Sequence, residues 1–350
     1  MPFAPLMRLL LGGRVMIIIL LIHTLDILNL KKDNNYQKYM KYLNILLVTI
    51  VACATAFTSQ AQRAGDFMTV ASPEIPESIN FCGDHVSFDR IDMAERLDRE
   101  MTSVIYGQTM TSLIIKRANR YFPRLIEILK QNNMPEDLIY LAVAESSLDI
   151  NALSPAKAAG IWQFMAATGR QYGLEVNDDV DERYDPEKET VAACRYLRDA
   201  YSKYHNWATV CASYNAGTGR ISSELSSQQV NNSFDLRLVS ETSRYVFRII
   251  AYKLFLENPK KYGYRIYSNQ LYQPIDCDVI EVSRPVANWV TWAKEHGITY
   301  MQLRDANPWI RSNKLPNASG KVYEVKVPKQ DSLYRSKAGN KVYNRTWIVD

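Results

Sequence analysis

Histidine and cysteine are scarce in this chain, with four His and five Cys among 350 residues. No CxxC pair occurs, and no His stands at ligand spacing from Cys82, Cys194, Cys211 or Cys277, which argues against a zinc site. Excess positive charge is missing where a nucleic-acid binder would carry it. The formal net charge is +5, but six of the 42 Lys/Arg and two of the 37 Asp/Glu fall in residues 1–61, leaving 36 basic against 35 acidic residues for the rest. Polyanion binding therefore gets little support. The two apolar runs near the N-terminus are each short for a membrane span. What is plentiful is ordinary core material: 47% of the residues are hydrophobic, enough for one large or two smaller globular domains.

The basic excess belongs to a leader. "MKYLNILLVTIVACATAFTSQAQ", from Met40 to Gln62, has a short basic start, an apolar run and small residues after it, the pattern of an export signal. Two processing readings remain open: cleavage after Ala61, which is preferred, or lipidation of Cys53 in "IVAC", which resembles a bacterial lipobox and would attach the protein to the outer membrane. Upstream, "LLLGGRVMIIILLI" is interrupted by Arg14. A complete signal starts at Met40 by itself, so Met40 is favoured as the true start over a membrane anchor. Either processing route places the protein in the periplasm or on the periplasmic face of the outer membrane. Cys194 and Cys211 sit among helical apolar residues as core, while Cys82 and Cys277 are the pair that an oxidising compartment would permit to bridge.

Residues 62–88, with Pro73, Pro76, Gly65 and Gly83 and little periodicity, read as an extended arm. From Asp89 to Asn133 apolar residues recur at three and four, as in Met93, Leu97, Met101 and Ile105, which predicts successive helices. Further helices are expected at Pro155–Tyr172, Pro186–Tyr204, Trp207–Ala216 and Glu241–Glu257, with the polar "SSELSSQQVNNSFD" (222–235) as a mobile connection. No strand signal of any length appears before about residue 260. The fold class is therefore mainly α, a helical domain over 89–260. A C-terminal α+β region over 261–350 follows, its core at about 278–328 reading strand, helix, helix, strand. The last twenty or so residues carry no signal.

One carboxylate stands out. "LIYLAVAESSLDI" (138–150) reads as a buried helix, yet Glu145 lies in it with no basic residue within a helical turn. Such a Glu is ordinarily surface-facing or neutralised from elsewhere in the fold. On an apolar helix, however, desolvation disfavours the charged form and can keep the carboxyl protonated near neutral pH, as a general acid requires. Asp149, four residues on, is the candidate for a second carboxylate if the helix continues. Its place where "SSLDINALSP" leaves the helix favours a turn role instead.

Three further motifs follow Glu145: "SPAKAAGIWQFMAATGRQYGL" (154–174), "ASYNAGTGR" (212–220) and "ETSRYVFRI" (241–249). In order and spacing they resemble the lytic transglycosylases of the soluble-lytic-transglycosylase type, which share a lysozyme-like, goose-type helical fold. The resemblance covers about residues 90–260, and the helices ending in "KRANRYFP" look most like the membrane-bound murein transglycosylase D branch. It implies cleavage of the β-1,4 bond between N-acetylmuramic acid and N-acetylglucosamine in peptidoglycan glycan strands, without metal or cofactor. Glu145 first protonates the glycosidic oxygen and then takes the proton from the sugar's own 6-hydroxyl, leaving a 1,6-anhydro end. By matching position, Ser154 and Gln163 hydrogen-bond the substrate, Tyr214 orients Glu145 or the sugar, Asn215 steadies its turn, Tyr245 lines the far wall, and Met165 supplies an apolar wall.

Other roles compete at these positions. Trp162, between Ile161 and Phe164, reads as core more than as a sugar platform. Gly160 and Gly217 matter through backbone conformation, and Ser146 caps or braces the helix end. The chain departs from the family pattern at Phe247, where proline is usual, and at Ile161, where leucine is usual. The C-terminal unit weakly resembles a LysM-type module, with "SRPVANW" in place of the usual "GDT", and carbohydrate binding there competes with a structural cap. Two alternatives for the whole chain stay open: a lysozyme-like peptidoglycan or chitin hydrolase, and a non-catalytic wall-binding protein.

Overall fold

The structure, a computed structural model, describes residues 72–350. The leader, with Met40, Cys53 and Ala61, lies outside the described residues. No helix among the described residues is long and apolar enough to cross a membrane.

The chain enters through a hairpin, β1 (Ser78–Phe81) paired antiparallel with β2 (Asp84–Ser87). This departs from the expected extended arm and from the absence of strands before residue 260. The turn is Cys82-Gly83, both at positive φ (55° and 93°), the geometry that lets a two-residue loop follow the strand twist. Phe81, Val86 and Phe88 anchor it in the core.

Helices α1 (Ile91–Tyr106) and α2 (Gln108–Gln131) follow, broken at Gly107. Their buried stripes, Met93, Leu97, Met101 with Val104 and Ile105, then Ile114, Ile115, Ala118, Phe122 and Leu125, have the three- and four-residue spacing of one helical face. The short α3 (Ile139–Ser146) runs through the core, with Ile139, Leu141, Ala142 and Val143 buried. It stops because Ser147 and Leu148 both adopt left-handed conformations (φ 54° and 59°). A leucine there costs roughly 1 kcal/mol or more, which complete burial of its side chain offsets. The helix thus ends before Asp149, which does not share the face of Glu145.

The expected helix at 155–172 is confined to α4 (Ala166–Gln171). Before it, positive φ at Lys157 (68°), Gly160 (87°) and Gln163 (55°) coils the chain, and Ala159 bridges to both Leu153 and Phe164. Helix α5 (Pro186–Tyr204) starts with Pro186 in the first turn and Asp185 capping the amides of Glu187 and Lys188. Helices α6 (Trp207–Ala216) and α7 (Thr218–Gln228) meet at Gly217 (φ 85°). Helix α7 takes up 222–228 of the connection expected over 222–235, leaving 229–235 as the link; the helix's one buried residue, Ile221, gives almost no periodic signal. Helix α8 (Ser240–Glu257) packs against α1, α3 and α6, placing it behind Glu145.

Beyond Pro259, Tyr264, Ile266 and Leu271 still belong to the helical core. The second unit pairs β3 (Cys277–Val282) antiparallel with β4 (Tyr323–Pro328) and sets α9 (Trp289–Glu295) and α10 (Tyr300–Ala306) between them in sequence. Its core holds Trp289, Leu303, Trp309, Ile310, Tyr323 and Val325. It joins the helical domain through Val180, which bridges Ile310, and through Lys321 on Glu175 (2.7 Å) and Glu182 (3.0 Å). After β4 comes a single helical turn, α11 (Arg335–Ala338), and the chain then returns to the first core. There Tyr343 donates its amide to buried Asn119, and Trp347 is 1% exposed, donating Nε1 to Leu256 O. Cys82 and Cys277 are both free, so the bridge expected as permissible is not formed.

Candidate active site

Glu145 occupies the penultimate position of α3, half-buried. Its Oε1 accepts a hydrogen bond from the hydroxyl of Tyr245, a residue of α8 that is itself 2% exposed. Burial pushes the Glu145 carboxyl up from 4.5 to about 7; the Tyr245 hydrogen bond and the charge of Arg248 pull it down, and Glu241 pushes it up. Arg248 is held by Glu241 (3.0 Å) and faces Glu100 at 3.5 Å, so its charge is shared rather than given to Glu145. Buried Tyr245 has its own ionisation pushed well above the usual range and remains a proton donor.

The next residue, Ser146, donates Oγ to Ile161 O (2.8 Å), tying the end of α3 to the coiled segment 152–164. Within that segment Gly160 donates its amide to Ala152 O (3.0 Å) and Ala159 to Phe164 O (3.0 Å). Gln163 turns its amide nitrogen back on Gly160 O (2.7 Å) and Ala152 O (3.2 Å). Ser154 Oγ accepts from the amide of Ala158 (3.0 Å), as in a local side-chain turn. Met165 is 45% exposed.

Tyr214 donates its hydroxyl to Trp162 O (2.8 Å) and packs edge-on against Phe164 and Tyr196. The structure therefore sets Tyr245, not Tyr214, directly on Glu145, while Tyr214 holds the loop. Asn215 is exposed and accepts from Thr242 Oγ1 (3.0 Å), linking the end of α6 to the start of α8. Trp162 is fully buried with Nε1 on Thr190 Oγ1 (2.8 Å), and is core. Phe247, where proline was the family expectation, lies inside unbroken α8 beneath the Arg96 guanidinium (4.3 Å).

Asp149 accepts from the Asn151 amide (3.0 Å) and pairs with Arg117 (3.0 Å), the bonding of a turn residue. Sequence reasoning passed over two residues that grip the loop from below. Arg183 donates to Lys157 O (2.9 Å) and Phe164 O (3.0 Å) while bound to Asp181. Glu189 accepts the amide of Ile161 (2.7 Å). A partial signal for Glu189 was present in its spacing, four and eight residues before Ala193 and Leu197 on the buried stripe of α5.

Residues 125–235 match the Transglycosylase SLT domain, and 278–331 the Soluble lytic transglycosylase C-terminal LysM-like domain. The two matched stretches follow one another in that order on a mainly helical scaffold with small two-stranded sheets. It is 29% identical over 296 residues to the membrane-bound lytic murein transglycosylase D of Escherichia coli K12, an alignment covering 83% of this chain and 64% of that protein. The chain thus spans just under two thirds of that relative's length. A putative tributyltin chloride resistance protein of Alteromonas sp. M-1 is 25% identical over 118 residues, 33% of this chain and 57% of that one. Among solved structures, the 70 kDa soluble lytic transglycosylase of Escherichia coli matches 47% of this chain and 29% of its own at 22% identity, with a TM-score of 0.37.

Proposed function

We propose that this chain is a peptidoglycan lytic transglycosylase, with Glu145 acting as general acid and then as general base. The observation that carries the reading is a half-buried carboxyl with a titration near 7, held by a buried phenol. Such a group exchanges a proton in both directions at neutral pH. The matched SLT domain and the murein transglycosylase relative supply the substrate class.

Glu145 delivers its proton to the oxygen linking N-acetylmuramic acid to N-acetylglucosamine, and the C1–O bond breaks. The resulting carboxylate accepts the proton of the muramic 6-hydroxyl as O6 bonds to C1. The proton returns to Glu145, a 1,6-anhydro ring closes, and no water is consumed. One carboxyl suffices, which agrees with Asp149 being spent on Arg117 and the Asn151 amide. Ser154, Gln163 and Met165 are assigned to the substrate-facing rim, Tyr214 and Asn215 to holding it, and Tyr245 to orienting Glu145. Peptidoglycan strands are the partner, and the LysM-like unit is assigned to the same polymer. The protein is placed in the cell envelope as an exported enzyme, with lipidation of Cys53 as a route to the outer membrane.

Digestion of purified sacculi followed by mass spectrometry tests this. Anhydro-ended muropeptides, one water lighter than hydrolytic products, are expected from the wild type and not from Glu145→Gln. Reducing-end products alone would assign the fold to a hydrolase, and equal release by both proteins would remove Glu145 from the chemistry.

A further inference from the structure

The coiled segment 152–164 carries Gln163 and receives the end of the Glu145 helix, yet it has little regular secondary structure to hold its shape. Its support comes from the 181–190 stretch. Glu189 is 0% exposed, with Oε2 on the Ile161 amide at 2.7 Å. Its Oε1 is buried with no hydrogen-bond partner among the described residues. The guanidinium of Arg183 is taken by Asp181 through Nε (2.9 Å) and Nη2 (2.7 Å), and among the described residues no ion pair reaches Glu189. A buried carboxyl with one oxygen lacking an ordinary partner is costly, and its retention calls for a reason.

The reason lies in the segment it touches. A Cβ on Gly160 would fall 2.5 Å from both Glu189 oxygens and 1.8 Å from Arg183 O, so the main chain is pressed onto the carboxyl at the one residue without a side chain. The carbonyl of the same Ile161 whose amide Glu189 holds accepts Ser146 Oγ at 2.8 Å. One peptide-bond step beyond, Trp162 O accepts Tyr214 and its indole is fixed by Thr190, the neighbour of Glu189.

We propose that Glu189 is a positioning residue: through Ile161 it fixes the main chain of Gly160–Phe164 and, by way of Ser146, the end of the helix that presents Glu145. The inference rests on the transglycosylase reading for its catalytic consequence, but not for its structural one. Burial pushes the Glu189 carboxyl well above the usual carboxylate range, though the amides of Trp162, Ile161 and Phe164 and the charge of Arg183 oppose this. What the geometry shows the loop taking from it is one acceptor oxygen, Oε2 on the Ile161 amide, which the side-chain carbonyl of a glutamine can supply.

Three variants test this, Glu189→Gln, Glu189→Asp and Glu189→Ala, in the full chain. Hydrogen exchange by mass spectrometry on the peptide spanning 158–166 reads the loop without reference to activity. Protection is expected to survive in Glu189→Gln and to fall in Glu189→Asp, whose carboxyl is drawn back from Ile161, and in Glu189→Ala. On sacculi, kcat is expected to fall about ten- to hundredfold in Glu189→Asp and Glu189→Ala with KM changed far less, and to stay within about threefold of wild type in Glu189→Gln. If Glu189→Ala does not fold, Glu189→Asp carries the comparison. Unchanged exchange in Glu189→Asp, or loss of kcat in Glu189→Gln equal to that in Glu189→Asp, would overturn the assignment. A wild type that releases no anhydro muropeptides would instead defeat the functional reading and leave the exchange result standing.

Discussion

The hydroxyl of Tyr245 donates to Oε1 of Glu145 across a separation of 100 residues, joining the end of one buried helix to the middle of another. This bond opposes burial. It favours the ionised carboxylate and keeps the titration near 7 rather than higher.

Tyr245→Phe should therefore raise the Glu145 pKa. A general acid works while protonated, so activity falls as pH rises through that value; the alkaline limb of the pH–rate profile near 7 should move upward in the variant. Loss of a hydrogen bond to a charged group should also lower kcat by about ten- to hundredfold, because the carboxylate of the second step is less well supported. Rates of muropeptide release across pH measure both effects. A limb displaced to lower pH would contradict this account of the site.

Stability should depend on pH in the opposite sense to a paired carboxylate. The folded pKa of Glu145 lies above its ordinary value, so between 4.5 and about 7 the native state binds more protons than the unfolded one, and stability falls as pH rises through this window. The upper bound on this single contribution is about 3 kcal/mol, less to the extent that solvent reaches the half-buried group. Glu145→Gln should flatten the dependence and be the more stable protein at pH 7. Urea denaturation of both proteins across pH makes the comparison.

Removing the indole of Trp347 should weaken the helical domain, although it lies beyond the LysM-like unit. Its ring packs edge-on against Phe122 at 5.9 Å, and its nitrogen bonds Leu256 O. Trp347→Ala should cost about 3–5 kcal/mol, read by denaturant unfolding, with Glu145 and Tyr245 untouched. A loss below about 1 kcal/mol would mean the C-terminal segment is ornamental to that core.

Long periodic helices were legible because their buried faces repeat every three or four residues, as Met93, Leu97 and Met101 do. The hairpin was not, since each strand has only four residues and its turn is Cys-Gly rather than the stronger Asn-Gly signal. The segment 155–165 was misread as helix because its apolar Ile161, Trp162 and Phe164 suit one. What breaks the helix is positive φ at Lys157, Gly160 and Gln163, a backbone property that composition does not announce. Glu145 was visible as a lone acid on an apolar helix. Glu189 was not, because Lys188 stands beside it and a stretch so rich in charge as "DERYDPEKE" hides which of its acids points inward. The return of the C-terminal segment to the first core depends on contacts between residues more than 200 apart, as Tyr343 with Asn119, and no local pattern reports such a pairing.

That return makes the LysM-like unit an excursion fastened at both ends. The chain leaves the helical core after Leu271 and re-enters it at Val342 and Tyr343, so the unit cannot pivot on a single tether, and a pull on it is divided between two covalent connections. There is also an order in time. A chain emerging from its N-terminal side can build every helix of the first domain and still leave its core unsealed until the whole second unit has followed.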